Sequence, residues 1–327
     1  MQFIIRRLSF YVIAAWAALT INFLLPHLLP GTAVQAMLAH LPDASPTSIR
    51  ALDIEYGVGH QGSLLHQYFV YLGHLAHGDL GTSTFDYPTK VVAVLRSTLP
   101  WTIGLVGTAT IISFGLGTLL GILAGWRRNG LLDASLPAWT FVQAMPYFFL
   151  ALLVVQLFAN TWHVFPPYGG ATLGVPIAFD WTFISSVLDH SVLPAATIIV
   201  TSMAGWMLQM RNVMITTIGE DYVLAATAKG LSPRRIMLTY AARNAILPNI
   251  AGFALAIGFV VAGALVMEIV FSYPGVGYQL YTAVTNDDIP VMQGIFLAIS
   301  ASVLLACLLA DVVYVIADPR TRRRAAY

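Results

Sequence analysis

The sequence predicts an all-α integral membrane protein with six transmembrane helices and both termini in the cytoplasm. Three observations lead there: 58% hydrophobic against 9% charged residues, a mean hydropathy of +0.76, and long apolar runs set between short charged stretches. A soluble domain carries roughly 25% charged residues, so most of this surface must face lipid.

A hydrocarbon core about 30 Å thick takes about 20 apolar residues of helix. Six runs have that length: about Leu8–Leu29, Leu99–Trp126, Ala134–Ala159, Ser191–Met210, Asn249–Phe271 and Gln293–Ala317. The first follows Arg6 and Arg7 like a signal peptide, but it exceeds 20 residues and no A-x-A site follows, so it is predicted to stay as the first span. Pro146 in the third and Pro194 in the fourth each remove a backbone donor and are candidate kinks, for gating or for packing. The fifth and sixth each hold one acid, Glu268 and Asp311. The stretch 31–98 is read as an extracytoplasmic insertion, 212–248 as a cytoplasmic loop, and the whole of 1–327 as a single membrane domain.

Orientation follows from the cations. With six spans, one face carries Arg6, Arg7, Arg127, Arg128, Arg211, Lys229, Arg234, Arg235, Arg243, Arg320, Arg322, Arg323 and Arg324, and the other only Arg50, Lys90 and Arg96. That bias puts both termini in the cytoplasm. The net charge of +1 hides this asymmetry and gives no indication of nucleic acid. The tail from Asp318 onward reads as a cytoplasmic stop that can also touch anionic lipid. A single cysteine, Cys307, excludes an internal disulfide and a thiolate metal cluster.

The segment "EDYVLAATAKGLSPRRIMLTYAARNAILP", Glu220 to Pro248, stands out between apolar runs. Tyr222–Lys229 is rich in helix formers and Gly230 follows, as it does where a helix ends in a positive φ. Ser232 then Pro233 reads as an N-cap before proline at the first helical position. A second helix is predicted from Arg234 until Pro248, with Leu247 pushed out of the helical region. Ala225, Ala226 and Ala228 leave little bulk for another backbone to meet, and Lys229, Arg234 and Arg235 gather at the bend. These features favour docking into a partner's groove. The plainer alternative, a loop that only sets topology, has no need of a helix, a break and a second helix.

This segment closely resembles the cytoplasmic loop of ABC importer permeases, in particular the peptide/nickel branch. The likeness runs along most of the chain, through "IIRRLSFYVIAAW", "YLGHLAHGDLGTS", "EIVFSYPGVGYQL", "DDIPVMQG" and "LLADVVYVIADPR", and is strongest with the first of the two permeases in such transporters. The resemblance implies a type I ABC importer permease fold in a bacterial or archaeal cytoplasmic membrane. It also implies a non-catalytic subunit that moves di- or oligopeptides, or else oligosaccharides or nickel chelates, by alternating access. Its partners would be a second, similar permease, two cytoplasmic ATPases, an extracytoplasmic binding protein and lipid.

In that family the loop is a coupling helix seated in an ATPase cleft. By motif position Lys229, Gly230, Ser232, Arg234, Arg235, Arg243, Asn244 and Pro248 take the coupling places, with Ala225, Ala226 and Pro233 beside them. The chain departs from the family pattern at Leu224 and Thr227, where related peptide permeases often carry Arg, which implies a weaker electrostatic part of docking or one matched to a different ATPase surface.

The residues themselves agree that ATP is split elsewhere. A P-loop needs G-x-x-x-x-G-K-[ST], and the two lysines, Lys90 and Lys229, are followed by Val and Gly. No cofactor is therefore expected on this chain; ATP and Mg would belong to the partner ATPases.

Glu268 and Asp311 are costly in lipid and should face the bundle or water, with Asp311 a candidate partner for Arg211. Glu268 is read as orienting the outer turn "SYPGVG" rather than binding substrate. His74 and His77, with His60 and His66 nearby, form a weak metal candidate lacking cysteine and clustered acids, and no metal is expected. A secondary transporter would show repeated halves and charged midplane sites, and a membrane protease a buried nucleophile or metal; neither pattern is present.

Overall fold

The computed structural model describes residues 2–28, 63–263 and 265–317, and these are helical apart from turns and one isolated β-bridge, Thr82 with Lys90. His60 and the arginines at 320–324 lie outside the described residues, as does 31–62 of the predicted insertion. The described chain forms two compact units, Met1–Thr102 with Pro274–Leu304, and Ile103–Tyr273 with Leu305–Tyr327.

In the first unit, α1 (Gln2–Leu28) meets α2 (Leu64–Ala76) through Phe23, whose ring lies 5.2 Å from Tyr68 and 5.6 Å from Tyr71, centroid to centroid. Asn22 donates to the Tyr71 hydroxyl at 3.1 Å and to the Gln293 carbonyl at 3.0 Å, and Gln293 returns a bond to the Asn22 carbonyl. Buried amides paired in this way hold helices together where no water is available. The helix α3 (Val91–Trp126) starts here, as does the last, with Ile289–Ala317 as its bounds. Between 274 and that last helix lies Val276–Thr285, whose first amide donates to the buried Thr102 hydroxyl at 2.8 Å.

The second unit contains the rest of α3, then α4 (Leu131–Ala134), α5 (Leu136–Ala144), α6 (Tyr147–Thr161) and α7 (Trp181–Ile218). It continues with α8 (Asp221–Ala228), α9 (233–245), α10 (Leu247–Gly258), α11 (Val260–Gly263) and α12 (Leu265–Val270). Val276–Thr285 is α13 and Ile289–Ala317 is α14.

Its densest packing is α3 on α7. Gly117, Gly121 and Gly125 recur every fourth residue on one face of α3. A Cβ at Gly121 would lie 2.6 Å from the Met207 carbonyl oxygen, and one at Gly125 2.6 Å from the Met214 Cβ. Only glycine lets the two backbones come this close, the small-residue packing of membrane helices.

By length and composition, three helices can cross a membrane: Val91–Trp126, Trp181–Ile218 and Ile289–Val312. Leu136–Ala144 and Tyr147–Thr161 make a fourth if taken as one span, bent by 99° at the predicted Pro146 kink. Pro194, by contrast, sits inside the 38-residue α7, which is much longer than the run Ser191–Met210. The run expected over Asn249–Phe271 is not one helix. Phe259 interrupts it, ending α10 at φ −80° and ψ 0°, and residue 264, between α11 and α12, lies outside the described residues. Ser9–Leu25 in α1 and Leu247–Gly258 are apolar but shorter.

Candidate functional site: the charged elbow

The turn at Gly219–Glu220 releases the chain from α7, so the cytoplasmic-loop boundary predicted at 212 falls inside that helix. Asp221 in the first turn of α8 suits the positive end of the helix dipole. The other end closes as a Schellman motif: Gly230 N–H donates to the Thr227 carbonyl at 2.9 Å and Leu231 N–H to that of Ala226 at 3.4 Å. Gly230 sits at φ +71°, the left-handed region predicted for it, with no atom within 4 Å of where a Cβ would stand. Ser232 takes extended angles and Pro233 the first position of α9, also as predicted, but the Ser232 side chain makes no capping bond. The second helical stretch winds as a π-turn through Ile236–Ala242.

The elbow has a small core of its own. Val223, Ala226 and Ile236 are buried, with Trp126, Leu231 and Tyr240 packed around them. One prediction is corrected here: Ala226, expected on the docking face, is 2% exposed because it fills the angle between α8 and α9. Ala225 and Ala228 remain on the outside, together with Lys229, Arg234, Arg235, Arg243, Asn244 and Pro248. Leu224 and Leu238, each 55% exposed, share that surface. The outer face is thus cationic and apolar together.

Behind it, Ala241, Ala242 and Ala245 are buried against Ile122, Met210 and Met214 of the close-packed α3 and α7. Four residues on, Asn249 is fully buried and donates to the Thr118 hydroxyl at 3.3 Å and the Trp206 carbonyl at 3.4 Å. The second arm of the elbow is thus packed directly on the close-set α3 and α7. Asn249 and the glycine row were missed in the sequence reading; their signal was the four-residue glycine spacing and an asparagine in an apolar run.

Arg211 also differs from expectation. Its guanidinium is held by Asp133, with contacts of 2.7 and 3.1 Å to one carboxylate oxygen, rather than by Asp311. The Asn129 amide and then Arg211 hold the Asp133 carboxyl below the ordinary aspartate value. Arg128 adds a bond to the Ile215 carbonyl, so the 127–135 turn grips α7 just before the elbow. Asp311 is half-buried in α14.

Glu268 is fully buried in α12, and its backbone carbonyl accepts from Tyr273 at 2.8 Å, closing the turn into "SYPGVG". The Tyr273 hydroxyl meets Ser191 at 3.1 Å. His74 lies 3.3 Å from Asp79, and His77 bonds the Gly73 carbonyl, one turn back.

Residues 117–323 match the family described as the binding-protein-dependent transport system inner membrane component. The chain belongs to that family. Among its relatives, a di/tripeptide transport system permease protein of Pseudomonas aeruginosa is 30% identical, with 99% of each chain covered. A dipeptide transport system permease protein of Escherichia coli is 29% identical, again with 99% of each covered. An oligopeptide transport system permease protein of Bacillus subtilis is 28% identical over 97% of this chain and 98% of its own. The elbow and its roots, 219–249, all fall within the matched region, and this permease component is a multi-pass inner-membrane protein.

Proposed function

We propose that this chain is the membrane-spanning permease subunit of an ATP-driven importer of di- and oligopeptides, working by alternating access. Six spans with both termini in the cytoplasm complete the reading, the fifth formed by the broken α10–α12 segment. A second similar permease closes the path, a binding protein delivers peptide from outside, and two ATPases supply the energy without any catalytic group on this chain. Only differential binding of ATP, peptide and binding protein to the inward and outward states can drive such a cycle.

The observation that carries the reading is the elbow: a helix, a Schellman turn at Gly230 and a second helix, cationic and apolar outside and rooted inside on α3 and α7. Such a surface fits a cleft, and its rooting fits a lever. The relatives named as peptide permeases over nearly their whole length support the cargo.

The test is reconstitution of the chain with its partner permease, ATPases and binding protein in liposomes, measuring ATP-dependent peptide uptake. In the same system Gly230→Val should weaken ATPase co-purification and uncouple hydrolysis from uptake, because a β-branched residue cannot hold φ +71° without strain. Uptake by this chain without ATPases, or unchanged coupling in the variant, would overturn the reading.

A further inference from the structure

In the second unit a groove of about 700 Å³ opens between α3, α5, α7 and α10. Its wall is made largely by Gln143, Ser202, Gly205, Trp206, Gln209 and Asn212. Its volume lies within the range of about 300–1,000 Å³ that holds a small ligand. None of the ten lining residues carries a charge, yet six of them are amide or hydroxyl side chains.

Such a lining is out of keeping with a surface bathed in lipid. Among the described residues, the side-chain polar atoms of Gln143, Ser202 and Gln209 have no hydrogen-bond partner, and Gln143 and Gln209 are exposed. An amide facing hydrocarbon with no partner costs several kcal/mol, so these groups must face water or a polar solute. Close by on the same helices the exposed residues include the apolar Ile111, Leu116 and Leu119 of α3, Phe141 of α5 and Val192 of α7. The contrast separates one wet face from the remaining lipid-facing surface. Gly205 deepens the groove, since a Cβ there would meet only the far end of the Gln143 side chain, at 3.4 Å.

We propose that this groove is the chain's share of the solute path and that it receives the peptide main chain. Glutamine and asparagine amides donate and accept as a peptide group does, so they can take over its hydrogen bonds from water whatever the neighbouring side chains are. A wall without fixed charge neither attracts nor rejects an acidic or basic residue. Passage of peptides differing in side-chain charge follows from that neutrality. The inference rests on the importer reading above and adds to it the contact residues and the group they recognise.

The test is a charge swap at Gln209 in the reconstituted transporter, with Glu-Ala and Lys-Ala as cargo. Gln209→Glu should lower the uptake ratio of Glu-Ala to Lys-Ala by about 25-fold and Gln209→Lys should raise it by a similar factor, since one unit charge a few ångströms away in water shifts each of the two oppositely charged peptides about fivefold, in opposite senses. A ratio unchanged in both variants, while uptake persists, overturns the groove's role and leaves the importer reading standing. Absence of peptide uptake by the wild-type complex removes both. If a charged variant fails to assemble, Gln209→Cys in a Cys307→Ser background can be treated with a membrane-impermeant maleimide. Labelling that excess peptide suppresses supports the path; no labelling, or labelling indifferent to peptide, overturns it.

Discussion

The carboxylate of Asp288 accepts the hydroxyl of Ser83, 205 positions earlier in the chain. The same carboxylate takes the Thr84 amide at 3.1 Å and the Thr84 hydroxyl at 3.2 Å, and it is 2% exposed. The "GTS" turn and the "DDIP" turn are therefore one structure, joined by a buried carboxyl group that the described residues hold through hydrogen bonds.

Removing that acceptor takes a bond from four donors, the Ser83 hydroxyl, the Thr84 amide and hydroxyl, and the Val291 amide at 3.4 Å. Asp288→Ala should lower the stability of the first unit by roughly 2–4 kcal/mol, and Asp288→Asn by less, since it keeps one acceptor oxygen. Thermal unfolding in detergent, with limited proteolysis around Gly78–Lys90, measures both.

Gly121 has no room for a side chain. Gly121→Ala should destabilise the α3–α7 contact by about 1–3 kcal/mol, because the obstruction is the Met207 carbonyl and the Met210 Cβ rather than a flexible tip. The change should be visible as a lower unfolding midpoint in a denaturing-detergent titration. Gly115→Ala on the same helix, with open space around it, should leave the midpoint where it was.

Asp133 should make stability depend on acid. Its folded pKa lies below the ordinary 3.8, so its contribution is present in full above that value and is lost as pH falls through the lower folded value. The difference in melting temperature between the wild type and Asp133→Asn should accordingly be constant near neutrality and shrink below about pH 4. A difference that persists in strong acid would count against the pairing with Arg211.

Neighbouring alanines in α8 should behave in opposite ways. Ala226→Leu overfills the core of Val223 and Ile236 and should destabilise the elbow by about 1–3 kcal/mol. Ala225→Leu stands on the exposed face and should leave folding intact while weakening capture of the partner ATPase. Leu224→Ser should weaken capture as well, if the apolar part of that face contributes to docking. Melting curves and ATPase co-purification read the two effects separately.

What the sequence determined by itself was set by short-range rules, with two exceptions: Leu247, expected outside the helical region before Pro248, opens α10, and Ser232 makes no capping bond. Apolar length marked the helices long enough to cross a membrane, Val91–Trp126, Trp181–Ile218 and Ile289–Val312, and the angles demanded by Gly230 and Pro233 drew the elbow, because both depend only on neighbouring residues and solvent. Pro146 announced its bend for the same reason. The tertiary structure decided whatever depends on a distant partner. Ala225 and Ala226 are the same residue type about 100° apart around a helix, and only the packing of α9 against α8 makes one of them core. Arg211 could have met any acid near its end of α7; the course of the turn after α3 delivered Asp133. The glycine row was readable as a spacing, but not which helix would use it. The fifth run looked continuous because hydropathy reports only preference for lipid, and it cannot register the turn at Phe259 that ends α10. Composition is summed along the chain, whereas contact is a property of three dimensions, and the groove on α7 exists only in the second.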